Sequence, residues 1–116
     1  VFLAGIPDGS GRVFVVERAG RIRILNPATS VIQSTPFLDI TGTIATDGER
    51  GLLGMALAPN FATSGVFYIF VVNTAGTIEV RRYQSAGGVA NVGSADVILS
   101  IAHPRNNHLG GWIGFD

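Results

Sequence analysis

The sequence has no cysteine and no lysine among its 116 residues. The absence of cysteine excludes a disulfide scaffold and a metal site built from thiolates. The 8 basic residues, all arginine, balance 8 acidic residues, so no net charge favours nucleic acid or an anionic membrane as a partner. The longest apolar run, residues 66–72, is far shorter than the roughly 20 residues that a membrane-spanning helix needs. We therefore expect no nucleic-acid partner and no membrane partner.

The segments that are present have the composition and the rhythm of β-strands. RVFVVER at residues 12–18 is rich in β-branched side chains, and GRIRIL at residues 20–25 alternates isoleucine with arginine. GVFYIFVVN at residues 65–73 has an entirely apolar centre, as expected of a strand that is covered on both faces. The 16 glycines supply turns, and no segment has a convincing helical period. The predicted fold class is all-β.

Two copies of one pattern account for most of the chain. The copies are offset by 52 to 56 residues, as these pairs show: Pro7 and Pro59, Phe14 and Phe67, Ile22 and Ile78. Each copy closes with a short apolar run, at residues 36–40 and 97–102. Four short strands per unit at a period of roughly 50 residues are typical of a β-propeller blade. We predict blade one at residues 1–45, blade two at 46–104 and the first strand of a third blade at 105–116.

A β-sandwich of about seven or eight strands fits the same length and is the alternative fold. The propeller is favoured because the repeat preserves its turn residues as well as its apolar rhythm. A blade buries both faces against its neighbours, so two blades alone would leave large apolar faces in water. The chain is therefore expected to need either the remaining blades of a longer protein or further copies of itself in a homo-oligomeric ring.

Four segments together resemble the soluble PQQ-dependent aldose sugar dehydrogenases, also called the glucose/sorbosone dehydrogenase family. They are PDGSGRVFVVERAGRIRIL (residues 7–25), PFLDI (36–40), GERGLLGMALAPNF (48–61) and NNHLGGWIGFD (106–116). The resemblance runs over nearly the whole chain. It implies a six-bladed propeller, of which this sequence is similar to the first two blades and the inner strand of the third.

The resemblance also implies chemical roles for three polar residues. His108 corresponds to the family's general base, which takes the proton from the C1 hydroxyl of an aldose while hydride passes to the quinone PQQ. Asn107 stands where some members carry aspartate, so it can hold the His108 ring by a hydrogen bond but adds no negative charge. Glu49 stands where the glucose-oxidising members have a glutamine close to the cofactor. His108 is the expected catalytic residue, and Glu49, Asn107 and His108 are the expected cofactor contacts.

PQQ and calcium are the implied cofactors, and most of their binding site is expected outside this chain. We assign no metal ligand to these residues and expect the chain alone to be inactive. An aldose is the implied substrate of the parent enzyme, and a periplasmic or secreted location is implied as well.

Each of these residues also has a purely structural interpretation. His108 would then be an ordinary residue of a glycine-rich turn, and Glu49 would form a surface ion pair with Arg50. Trp112 is expected to pack between blades. The alternative function is a non-catalytic propeller fragment or interaction module that assembles into a ring. A PQQ-dependent activity lost on replacing His108 would separate the two functions.

Overall fold

A computed structural model describes residues 2–115 and contains two antiparallel β-sheets. The first sheet is built from five strands. They are β1 (Phe2–Gly5), β2 (Val13–Glu17), β3 (Arg21–Asn26), β4 (Val31–Ile32) and β5 (Leu38–Asp39). Strands β1 to β4 lie in sequence order, and β5 pairs with β3 beyond the end of β4. The short strands β4 and β5 therefore share the outer edge of this sheet.

The second sheet contains four strands, again in sequence order. They are β6 (Leu52–Leu57), β7 (Val66–Val72), β8 (Thr77–Ala86) and β9 (Val89–Ala102). A short helix, α1 (Phe61–Ser64), lies between β6 and β7, and a 3-10 turn (Thr41–Thr43) precedes β6. Each sheet is a meander of consecutive strands, as in a propeller blade, and not the Greek-key order of a typical sandwich.

The alternating pattern of β3 explains how the first sheet is oriented. Ile22 and Ile24 are buried, whereas Arg21 and Arg23 point to the other face. Arg21 forms an ion pair of 3.0 Å with Asp39 on β5, and Arg23 forms one of 2.9 Å with Glu17 on β2. The period of two residues therefore separates a core face from a face of cross-strand ion pairs.

One hydrophobic core joins the inner faces of the two sheets. A row of aromatic side chains crosses it, with ring centroids 4.5 Å apart for Phe14 and Phe37, 5.2 Å for Phe37 and Phe67, and 5.6 Å for Phe67 and Tyr83. Arg81 lies at the edge of this core, where its guanidinium forms a 2.7 Å ion pair with Glu79. Burial opposes the charge of Arg81, but hydrogen bonds with Tyr83 and Glu79 raise its pKa. The two sheets are thus packed face to face as one unit.

Residues 103–115 run across the outer face of the second sheet without forming a strand. Leu109 is buried there with Val72 and Ile78, and the ring of Phe115 lies 5.5 Å from that of Tyr68. The first strand predicted for a third blade therefore has no strand partner among residues 2–115. Trp112 is 79% exposed. The packing of Trp112 between blades stays a prediction, because residues 2–115 form two sheets and contain no third blade for it to contact.

None of the helices within residues 2–115 has the length and the apolar character needed to cross a bilayer.

Candidate functional site

Two loops that are distant in sequence meet at one rim of the two sheets. The first loop connects the sheets and contains Glu49, and the second follows β9 and contains His108. The N–H of Glu49 donates to the carbonyl oxygen of Asn106 over 2.7 Å. The N–H of His108 donates to Oε2 of Glu49 over 2.8 Å. The structure therefore brings together two of the sequence-predicted site residues, since Glu49 accepts a hydrogen bond from His108 and donates one to Asn106 two residues earlier.

His108 has an unusual backbone and an available side chain. Its φ angle is +56°, in the left-handed region that residues other than glycine rarely adopt. The residue is exposed, and the hydrogen bonds of the described residues include none to its imidazole ring. Asn107 is exposed too, and its side chain makes no hydrogen bond to that ring in residues 2–115. The loop therefore fixes the backbone of His108 and leaves both ring nitrogens to solvent or a ligand.

The two loops pack too closely for a side chain at Gly48. A Cβ atom at this position would come within 2.7 Å of the side chain and the carbonyl oxygen of Asn106, and the φ angle of Gly48 is +58°. Only glycine meets both requirements without strain. Gly48 therefore allows the close approach that lets Glu49 reach His108.

Arg18, in the turn between β2 and β3, holds the Glu49 loop from the other side. Its Nη1 lies 2.9 Å from the carbonyl oxygens of Thr46 and Gly48 and 2.7 Å from that of Arg50. The motif that contains Glu49 does not include Arg18 and therefore gave no prediction of this role. The one available signal was an arginine directly before the Ala-Gly turn with no predicted acidic partner.

Arg50 does not form the surface ion pair with Glu49 that the sequence also allowed. Its Nη1 lies 3.2 Å from the carboxylate of Asp47, three residues earlier. Its Nε atom is buried and makes no hydrogen bond to the rest of residues 2–115. The carboxylate of Glu49 is consequently directed to the backbone of His108 and not to its neighbour in sequence.

The other histidine lies in the same loop but is engaged differently. Nδ1 of His103 lies 2.9 Å from the carbonyl oxygen of Arg105, so one ring nitrogen already has a backbone partner. His103 is therefore a loop residue with one ring nitrogen already bonded to the backbone.

A cleft lies at the opposite rim, between the β1–β2 loop and the β8–β9 hairpin. Its volume is about 370 Å³, and its lining includes Phe14, Phe37 and Phe61 together with the exposed ion pair of Asp8 and Arg12. It contains none of the predicted site residues. The contact between Glu49 and His108 instead lies on an open surface at the rim.

No group of three or more His, Cys, Asp or Glu side chains is placed to hold a metal ion within residues 2–115.

Comparison with known families connects these observations. The profile of the family described as Glucose / Sorbosone dehydrogenase matches residues 2–116. The mouse Hedgehog-interacting protein is 29% identical over 124 aligned residues, which cover 93% of this chain and 18% of that protein. The HIPL1 protein of Arabidopsis thaliana is 40% identical over 68 residues, which cover 59% of this chain and 8% of that protein. The chain thus spans less than a fifth of the length of these relatives.

Solved structures show the same architecture. A Thermus thermophilus protein assigned as an oxidoreductase (glucose dehydrogenase) superimposes with a TM-score of 0.78 at 30% identity, over 97% of this chain and 32% of that one. The PQQ-bound aldose sugar dehydrogenase of Streptomyces coelicolor superimposes with a TM-score of 0.79 at 24% identity, over 97% of this chain and 33% of that one. These likenesses confirm the predicted all-β propeller fold. The chain covers about a third of each of these structures.

Proposed function

The chain belongs to the glucose/sorbosone dehydrogenase family, and on that premise we propose that it forms the N-terminal part of a PQQ-dependent enzyme that oxidises the C1 hydroxyl of an aldose. The observation that carries the proposal is the contact between the two motif loops. Glu49 and His108, 59 residues apart, meet through a hydrogen bond of 2.8 Å and leave the imidazole of His108 exposed.

The proposed chemistry requires a base beside the hydroxyl group that is oxidised. A neutral imidazole accepts a proton at ordinary pH, and His108 presents its ring on a loop whose backbone is fixed. We assign to His108 the removal of the proton from the C1 hydroxyl as hydride leaves C1. The sugar is thereby oxidised at C1, and the proton can pass from His108 to solvent.

The residues present fit a quinone site in part. When bound, PQQ supplies the two-electron acceptor for the hydride that leaves C1. The open ring of His108 leaves room for a ligand beside it, whereas Oε2 of Glu49 is already occupied by a backbone N–H. That hydrogen bond offsets part of the negative charge that Glu49 would present to a carboxylated cofactor. We place Asn107 and the ring of His108 beside the cofactor, whereas Glu49, which was also expected there, is engaged by the backbone N–H of His108.

The remaining assignments belong to the complete protein. Calcium is proposed as the second cofactor, held by parts of the propeller outside this chain. We also propose a periplasmic or secreted location and an aldose as the substrate partner, with no nucleic-acid or membrane partner. The part of the outer face of the second sheet that residues 103–115 leave exposed supports either the remaining blades or further copies of this chain as its neighbour.

The test compares the two histidines in the complete protein that contains this sequence. With PQQ, calcium and an aldose, we expect His108→Ala to lower the rate of dye reduction by about 10²-fold to 10⁴-fold, the usual contribution of a general base. His103→Ala is the matched control, because His103 lies in the same loop with one ring nitrogen bonded to a backbone carbonyl. Equal rates for the two variants would refute the assignment of His108.

A second function is favoured by the curated relatives. The mouse relative that aligns with 93% of this chain is named for an interaction and not for an oxidation. A non-catalytic propeller module would leave the same fold and the same open apolar face. Equilibrium dialysis of the complete protein with PQQ separates the two candidates, since absence of quinone binding together with a stable protein complex would support the interaction module.

A further inference from the structure

We propose that Glu49 is a positioning residue, whose carboxylate holds the backbone of His108 in its left-handed conformation and thereby aims the imidazole ring. This inference rests on the proposed function of His108 as the base. This role differs from a direct contact with the cofactor, because the carboxylate oxygen of Glu49 already accepts a hydrogen bond within the protein. Oε2 of Glu49 accepts the N–H of His108 at 2.8 Å.

Two hydrogen bonds join Glu49 to the segment from Asn106 to His108, and we call this pair of bonds the clip. The main chain of Glu49 donates to Asn106, and the side chain of Glu49 accepts from His108. The two bonds therefore span both ends of the Asn106 to His108 segment. A bond to a carboxylate is stronger than a bond between neutral groups, so the charged end of the clip acts on the residue whose backbone is strained.

The strain of His108 explains why such a clip is needed. At a φ angle of +56° the Cβ atom of a residue other than glycine lies close to the following carbonyl oxygen, so this conformation is disfavoured and we expect the residue to relax to an ordinary one without a restraint. Because the Cα–Cβ bond turns with the backbone, this relaxation would move the imidazole away from its place. Residues held in rare backbone regions persist only when their surroundings determine them, and such residues cluster at functional sites.

Ser30 provides an internal comparison. It is the other residue besides glycine with a positive φ angle among residues 2–115, at +57°. It lies in the exposed connection between β3 and β4, and no long-range hydrogen bond restrains it in the described residues. The restraint from Glu49 is thus particular to His108 and does not accompany every left-handed residue of this chain.

The clip is anchored in turn to the first sheet. Arg18 binds the carbonyl oxygens on both sides of Glu49, those of Gly48 and Arg50. The position of Glu49 is therefore set by the β2–β3 turn of one sheet, and the position of His108 is set by the end of the other. In this arrangement the packing of the two blades determines where the base lies.

The first experiment needs no cofactor. Amide hydrogen exchange of the complete apoprotein is measured by NMR for the wild type, Glu49→Ala and Glu49→Gln. We expect the His108 amide to exchange about tenfold faster in E49A, which loses the acceptor, and to stay protected in E49Q, which keeps a carbonyl oxygen there. Asp96→Ala is the control, because it removes an exposed carboxylate that pairs with Arg82 away from this rim. Unchanged exchange in E49A would overturn the proposal.

The second experiment uses the enzyme loaded with PQQ and separates this inference from the proposed function. We expect E49A to lower kcat by about tenfold to a hundredfold while KM for the aldose and the Kd for PQQ stay near their wild-type values, and we expect E49Q to restore kcat. A raised Kd for PQQ with normal exchange at His108 would make Glu49 a cofactor contact and overturn the positioning role. Full activity of His108→Ala would refute the proposed function itself. If E49A does not fold, Glu49→Asp replaces it, since its shorter side chain keeps the charge but withdraws the oxygen from His108.

Discussion

Both faces of the second sheet carry apolar side chains, but the structure covers them to different extents. The inner face contributes Phe67, Ile69 and Val71, all 0% exposed against the first sheet. The outer face is bordered by an open apolar cleft of about 330 Å³, and Ile98 and Phe115 in its lining are 52% and 51% exposed. Both faces come from the same strands, so strand propensity does not distinguish them. The difference is that the first sheet packs against the inner face, whereas no further sheet packs against the outer face within residues 2–115.

An exposed apolar face of this extent marks a surface that normally has a neighbour. At roughly 25 cal/mol for each Å² of apolar surface, covering it contributes several kcal/mol only if a complementary surface is available. In a propeller that surface is the next blade. Each blade of a propeller thus carries two apolar faces, and within residues 2–115 the inner face of the second sheet is covered by the first sheet while the outer face is covered only in part, by residues 103–115.

The largest expected effect comes from a cavity in the inner face of the second sheet, which packs against the first sheet. We expect Phe67→Ala to lower the free energy of unfolding of this chain by about 3–5 kcal/mol, because the ring is 0% exposed and packs between Phe37 and Tyr83. Tyr68→Ala removes the next residue of β7, whose half-buried ring faces the open side, and we expect it to cost about 1 kcal/mol. Urea unfolding followed by circular dichroism measures both values. Equal losses for the two variants would show that the faces do not differ.

The exposed part of the outer face of the second sheet is tested by measuring self-association of the chain. We expect this chain in isolation to self-associate, and Ile98→Asp to weaken that association by about tenfold, because it places a charge on the apolar face. Val89→Asp is the matched control, since Val89 is 48% exposed but begins β9 at the hairpin end of the sheet. Sedimentation or light scattering over a range of concentrations gives the dissociation constants. A monomer at every concentration would contradict the expected role of this face.

Strands with a clear pattern of apolar residues could be predicted from the sequence, and strand segments without such a pattern could not. The patterns predicted β2 from its β-branched and aromatic composition, β3 from its alternation of isoleucine with arginine, and β7 from its uninterrupted apolar run. For β9 the pattern predicted only residues 97–102, whereas the strand extends over Val89–Ala102. Its first half is rich in small and polar residues and pairs with β8 through the Gly87-Gly88 turn. Pairing with a neighbour, and not local propensity, makes that half a strand.

The sequence motifs pointed to single residues of the candidate site but not to their arrangement. The motifs pointed separately to Glu49 and His108, and the structure joins them by a backbone hydrogen bond that no spacing encodes. Arg18 was missed because its hydrogen bonds run to carbonyl groups, which every residue carries and which leave no trace in side-chain identity. The suggested ion pair of Glu49 with Arg50 was wrong because Asp47 competes for the guanidinium from one turn away.

The smallest expected effect concerns the exposed turn of Asp8, at the rim of the interface between the two sheets. Hydrogen bonds from the side chain and the backbone of Ser10, together with the ion pair to Arg12, lower the pKa of Asp8 from 3.8 to about 2. A lowered pKa in the folded state stabilises the fold at pH values above the ordinary value, and this contribution is lost as the pH falls through the folded value. At pH values above 3.8, we expect Asp8→Asn to unfold at a slightly lower urea concentration than the wild type. Below pH 2, we expect the two proteins to have the same urea midpoint. Since water screens this exposed group, the shift should be far smaller than that of Phe67→Ala. A comparable shift would mean that this turn, and not the aromatic row beneath it, holds the two blades together.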